Sequence, residues 1–210
     1  MNTTQQHTIH PKTGRFATRI HSMLALAVLT VGASCAVAQN GHSQMAPTTM
    51  HQTTREQQAK ANELVKVVRD ATERFKNVSA AMAEGYQLQF GCVSGSDSGA
   101  MGLHYVNGDL VGKGILDPTR PQIIIYEAMP DGSKKLIGAD YLVIAEAWNA
   151  THKDPPQLMG QLFHLFEAPN RFGLPPFYTL HVWAWKDNPN GAFVNWHPQV
   201  SCESFAGQNN

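Results

Sequence analysis

The feature that most limits the folds open to this 210-residue chain is a pair of apolar runs, IIIYE at residues 123–127 and KLIGADYLVIA at 135–145. They flank Pro130, Asp131 and Gly132. Runs rich in β-branched residues on either side of a Pro-Asp-Gly turn predict a β-hairpin. An antiparallel sheet built around it has to bury at least one apolar face.

The segment before it supplies a cover. Thr54 and Gln57 have the form of a capping box, and Leu64, Val67, Val68, Ala71, Phe75, Val78 and Met82 recur at helical spacing up to Gly85. This pattern predicts one amphipathic helix of about 30 residues with its stripe laid on a sheet. The Gly/Ser-rich stretch 91–102 reads as a flexible connection, 103–106 as a short strand, and Asn107 with Gly108 as a tight turn. A short helix fits 157–166, and 179–185 is the strongest strand, followed by a turn at Asn188–Gly191. No internal repeat is visible. A helix followed by antiparallel strands predicts an α+β fold: a long N-terminal amphipathic helix packed on a mainly antiparallel β-sheet, with one disulfide.

Residues 1–38 have the layout of an export signal: Lys12, Arg15 and Arg19, an apolar run over 23–31, then Ala36, Val37 and Ala38. The run is shorter than the roughly 20 residues a membrane-spanning helix needs. Cys35 invites lipidation, but Gly32 stands where a large aliphatic residue is expected, so cleavage after Ala38 is the reading adopted. Removing the signal takes three of the 16 basic residues and none of the 16 acidic ones, leaving a net charge of −3. That balance offers nothing to nucleic acid. Residues 39–53 read as a flexible tail, in which His42, Met45, Met50 and His51 are copper-compatible side chains in an ordinary linker. One domain, 54–205, follows. Its two cysteines, Cys92 and Cys202, in a periplasmic or secreted protein, predict a disulfide worth about 4–5 kcal/mol by loop entropy.

On strand 179–185 alternation places His181, Trp183 and Trp185 on one face and Leu180, Val182 and Ala184 on the other. The pattern fits either an aromatic-lined recess or a core histidine beneath tryptophans. His104 in GLHYVN, His164 in MGQLFHLF and His197 in NWHPQVSC also lie in apolar company. Buried imidazoles require partners, and a divalent transition metal, zinc or copper, is one. Glu127 and Asp140 are acidic residues within the two hairpin strands, able to ligate a metal, to orient a ligand's N–H, or to act as a base. There is no Gly-x-Ser-x-Gly elbow, His-Glu-x-x-His, Walker loop or haem-attachment motif.

The blocks GAMGLHYVN, RPQIIIYEAMPDGSKKLIGADYLV, LMGQLFH and LHVWAWKDNPNGAFVNWHPQVSC resemble those of uncharacterised exported bacterial proteins. More distantly, their order is similar to that of the plant oil-body-associated proteins. The matching positions are His104-Tyr105, Tyr126-Glu127, Asp140-Tyr141, His164 and His181-x-Trp183. Leu103 stands where the relatives double the first histidine, and His164 is alone where they have His-x-His. The resemblance implies that His104, His164 and His181 converge, and it names no reaction. The residues themselves suggest those histidines as metal ligands or polar anchors, Glu127 or Asp140 as orienting carboxylates, and Tyr105 and Trp183 as ligand-binding neighbours, Trp183 forming an aromatic wall. The sequence therefore predicts an exported protein binding a small molecule or metal ion, with no nucleic acid and no transmembrane segment. The rivals are a structural protein whose His and Trp residues are core, and a metal-assisted enzyme.

Overall fold

The computed structural model describes residues 53–207. The expected tail with its histidines and methionines, apart from Thr53, and the whole of the expected export signal with Cys35 lie outside the described residues.

Helix α1 is Arg55–Thr72, and its start is fixed by the reciprocal capping box. The Gln57 N–H donates to Thr54 Oγ1 at 3.1 Å, and the Thr54 N–H donates to Gln57 Oε1 at 2.8 Å. The single long helix is not there. α1 has 18 residues and tightens into a 3₁₀ turn, Glu73–Lys76, before Asn77 swings out to φ −92°, ψ 114°. Asn77 then caps a separate short helix, α2 (Val78–Ala83), by accepting the Ser79 N–H at 2.9 Å. Asparagine breaks the stripe because its side chain offers the backbone a hydrogen bond that the helix interior does not. The carbonyl of Phe75, freed by the break, accepts from the Tyr126 hydroxyl at 2.7 Å.

The α+β expectation built on that helix is thereby corrected. The architecture is a curled six-stranded antiparallel sheet in the order β1-β2-β3-β4-β8-β7. Its strands are β1 (Gln87–Gly95), β2 (Gly99–Val106), β3 (Ile123–Ala128), β4 (Lys134–Ile144), β7 (His164–Phe166) and β8 (Phe177–Val182). β3 and β4 form the hairpin expected around Pro130, Asp131 and Gly132. A two-stranded ribbon, β5 (Gln157–Leu158) with β6 (Gln161–Leu162), occupies the place of the expected helix over 157–166. Met159 and Gly160 both take positive φ there, 47° and 83°, which suits a tight hairpin and ends any helix. Two further short helices, α3 (Gly108–Lys113) and α4 (Ala145–Asn149), complete the elements. Asn107 caps α3 by accepting the Leu110 N–H at 3.1 Å, so it starts a helix instead of turning a hairpin.

The glycines of 91–102 serve close approach, not flexibility. Gly99 has φ +80°, and a Cβ there would sit 2.1 Å from the His197 carbonyl oxygen. Through that gap the C-terminal segment pairs with β2: Ala100 N–H donates to His197 O at 3.2 Å, and His197 N–H to Ala100 O at 3.1 Å. The Cys92–Cys202 disulfide pins the same segment to β1 across 110 residues.

One face of the sheet meets α1 and the 3₁₀ turn. Tyr126 reaches Phe75 from it, and Trp185 donates its indole N–H to Thr72 Oγ1 at 2.9 Å. The other face curls inward. Arg171, in the connection between β7 and β8, donates to the Ser94 carbonyl of β1 at 2.8 Å, drawing the two ends of the sheet together.

Candidate metal centre

Strand alternation puts His104 of β2, Asp140 of β4 and His181 of β8 on the inward face. Asp140 and His181 are direct cross-strand partners, and His104 pairs with Ile125 of the intervening β3. β2 and β8 lie three strand spacings apart, roughly 14–15 Å on a flat sheet at about 4.7–4.9 Å per step. Curling removes that separation. His104 Nε2 and His181 Nε2 are 3.4 Å apart, and His181 Nδ1 lies 3.7 Å from Asp140 Oδ1. Ligating atoms of the three residues all fall within 4.8 Å of one another, and all three side chains are buried. This cluster could hold a metal ion.

The hydrogen bonds around it leave one contact unresolved. His104 Nδ1 lies 3.2 Å from the Gly102 carbonyl oxygen. A carbonyl only accepts, so Nδ1 carries the hydrogen and Nε2 turns a lone pair towards His181. If His181 is protonated at Nδ1, two Nε2 lone pairs face each other at 3.4 Å. If it is protonated at Nε2, that N–H donates to His104 Nε2, but its Nδ1 lone pair then faces the Asp140 carboxylate; in either form Nδ1 is buried without a hydrogen-bond partner. A cation resolves the first arrangement. Two nitrogens bound at roughly 2.0–2.1 Å to a tetrahedral zinc are themselves about 3.3–3.4 Å apart. Asp140 is held by Thr179, whose hydroxyl donates to Oδ1 at 2.6 Å.

Burial dominates the electrostatics. It pushes His104 down to about 4, with His181 acting in the same direction and Asp140 opposing. It pushes His181 down to about 3, aided by His164. Asp140 rises to about 6 through burial, restrained by the Thr179 hydroxyl and by His104. The two histidine shifts favour neutral imidazoles, the form in which histidine binds a metal, whereas the rise at Asp140 favours its protonated form and opposes binding as pH falls towards 6.

Above the cluster lies a half-open cavity with about 30 Å³ of space for water centres. At roughly 10–15 Å³ per water, that suits about two or three waters or a small ligating group. Its walls include Phe90, Phe166, Phe172, Leu174 and Phe177; the polar lining residues are His104, Asp140, Thr179 and His181.

The remaining sequence-predicted residues stand elsewhere. His164 is exposed on the edge strand β7, paired with Thr179, and lies outside the cluster. Tyr105 points to the opposite face of β2 from His104, edge-on to Tyr126 at 5.1 Å. Glu127 is engaged by Lys186, with Nζ 2.7 Å from Oε2. Trp183 is 2% exposed, with its indole N–H on the Val194 carbonyl, and does not line the cavity. The expected face of His181, Trp183 and Trp185 is kept only by the first two, whose rings lie 6.0 Å apart, because β8 ends at Val182. The Ala184 N–H turns back to Val182 O at 2.9 Å, and Trp185 emerges beneath α1. His197 is a satisfied core residue: its Nδ1 accepts from the Gln199 N–H and its Nε2 donates to Asp187 O, both at 3.1 Å.

Sequence reasoning missed Thr179 and the phenylalanine wall. Thr179 sits two residues before His181 and so shares its face, a legible signal. Phe177 shares that face by the same alternation and pairs with Phe166 of β7, whereas Phe90 at a strand bulge and Phe172 in a loop carry no such signal. No known protein family, curated protein or solved structure matches this chain.

Proposed function

We propose that this is an exported metal-binding protein whose centre is His104, Asp140 and His181, with zinc as the best-fitting ion. The observation that carries the reading is the 3.4 Å approach of two imidazole nitrogens, one of them fixed as a lone-pair donor by Gly102, beside a buried carboxylate. A nitrogen-rich set with one carboxylate suits zinc and also accepts copper or nickel. Export is supported by the Cys92–Cys202 disulfide, because such bonds persist in oxidising compartments. Kinship with the plant oil-body-associated proteins is part of the proposal and rests on the order of the sequence blocks.

Isothermal titration of the metal-stripped protein with Zn²⁺, Cu²⁺ and Ni²⁺ tests it. One ion per chain is expected to bind more tightly than millimolar, and Asp140→Asn to weaken it by roughly 10-fold to 100-fold. His181→Ala abolishes the site. Only millimolar binding, unaltered in His181→Ala, would end the metal reading and leave the histidines as core residues.

A further inference from the structure

The proposed centre carries a charge imbalance that selects what binds next to it, so the inference that follows rests on the metal reading above. A divalent ion held by two neutral imidazoles and one carboxylate keeps one uncompensated positive charge. Asp140 is the sole acidic or basic side chain among the cavity-lining residues other than the two histidines. A bare charge in such a setting is costly, and the three protein donors leave at least one coordination position open. A single anionic group on the metal completes both the charge and the coordination. Whatever is attached to that group has to lie against Phe90, Phe166, Phe172, Leu174 and Phe177. A second charge there would lose its hydration with no partner in return.

Phe90 shows that this wall is built. Its φ of 63° is a backbone region that bulky residues seldom enter, and it lies where the pairing of β1 with β2 shifts register between Gln89 and Cys92. The bulge turns its ring into the cavity, 5.3 Å from that of Phe172 and at 64° to it. Strain of this kind is kept where the surrounding contacts hold it and clusters at ligand sites. We infer that the cavity takes a small apolar monoanion of the acetate class, its head on the metal and its short alkyl end against the phenylalanine wall.

The test is titration of the cobalt-substituted protein with acetate, butyrate, hexanoate and the dianion glutarate, followed by the visible spectrum of the metal. Acetate is expected to bind tightest, and butyrate and hexanoate more weakly, because their chains exceed a space of about 30 Å³. Glutarate is expected to bind no better than acetate, and Phe172→Ser to flatten the series. A cobalt spectrum that forms normally but responds equally to every carboxylate, or to none, overturns the inference and leaves the metal centre standing. Absence of a cobalt spectrum overturns the metal reading, and this one with it.

Discussion

At the scale of single residues, the centre sets how acid acts on the protein. Unfolded histidine takes up a proton near its ordinary value of about 6.5, whereas folded His104 and His181 resist until about 4 and about 3. Between those limits the unfolded chain binds more protons, so stability falls as pH falls. Asp140 works against this: folded it keeps its proton up to about 6, while unfolded it loses it near 3.8, so its contribution weakens the fold as pH rises through that window. Two histidines outweigh one aspartate. The melting temperature of the metal-free protein is therefore expected to drop from pH 7 to pH 4.5, with a shallower drop in the His104→Gln, His181→Gln double variant. Differential scanning calorimetry across that range checks it, and equal slopes in the two proteins would contradict the assignment.

Among the elements, the β3–β4 hairpin was legible because its β-branched runs and Pro-Asp-Gly turn are local signals. Misreading began where a residue serves a neighbour distant in sequence. The glycines of 91–102 carry the composition of a flexible loop, yet Gly99 exists to admit the His197 carbonyl. Gly99→Ala is expected to destabilise the fold by about 2–4 kcal/mol. A Cβ has no room there, the backbone φ is positive, and the bridge between Ala100 and His197 must open. Urea unfolding measures the loss, and amide exchange at Ala100 and His197 should rise first. A variant as stable as the parent would show that the C-terminal segment does not depend on this crossing. The helix was misjudged for a related reason: the apolar stripe continues past Asn77, but the capping hydrogen bond of that side chain outcompetes the periodicity.

For the whole molecule, the curl of the sheet and the covalent tie across it matter most. The Cys92–Cys202 bond closes a loop with a sequence separation of 110, so in the loop-entropy account its removal costs about 4–5 kcal/mol. The Cys92→Ala, Cys202→Ala variant should accordingly unfold at distinctly lower urea concentration than the parent. A midpoint unchanged would mean that the C-terminal segment is held by its packing alone. Among the described residues no helix is long and apolar enough to cross a membrane.

The sequence by itself determined the hairpin, the start of the first helix, the cysteine pair, and the polar residues His104, Asp140 and His181 on apolar strands. These are legible because turns, caps and alternation act over a few residues. Tertiary structure alone decided which of the candidate side chains meet. Strand period 2 says that His104 and His181 leave their own strands on definite sides, but not that strands three places apart will curve until the two rings touch. It likewise gave no warning that β8 would stop at Val182 and send Trp185 to the other face. Sheet curvature is a property of all six strands and the loop contacts joining their ends, and no single segment of the chain encodes it.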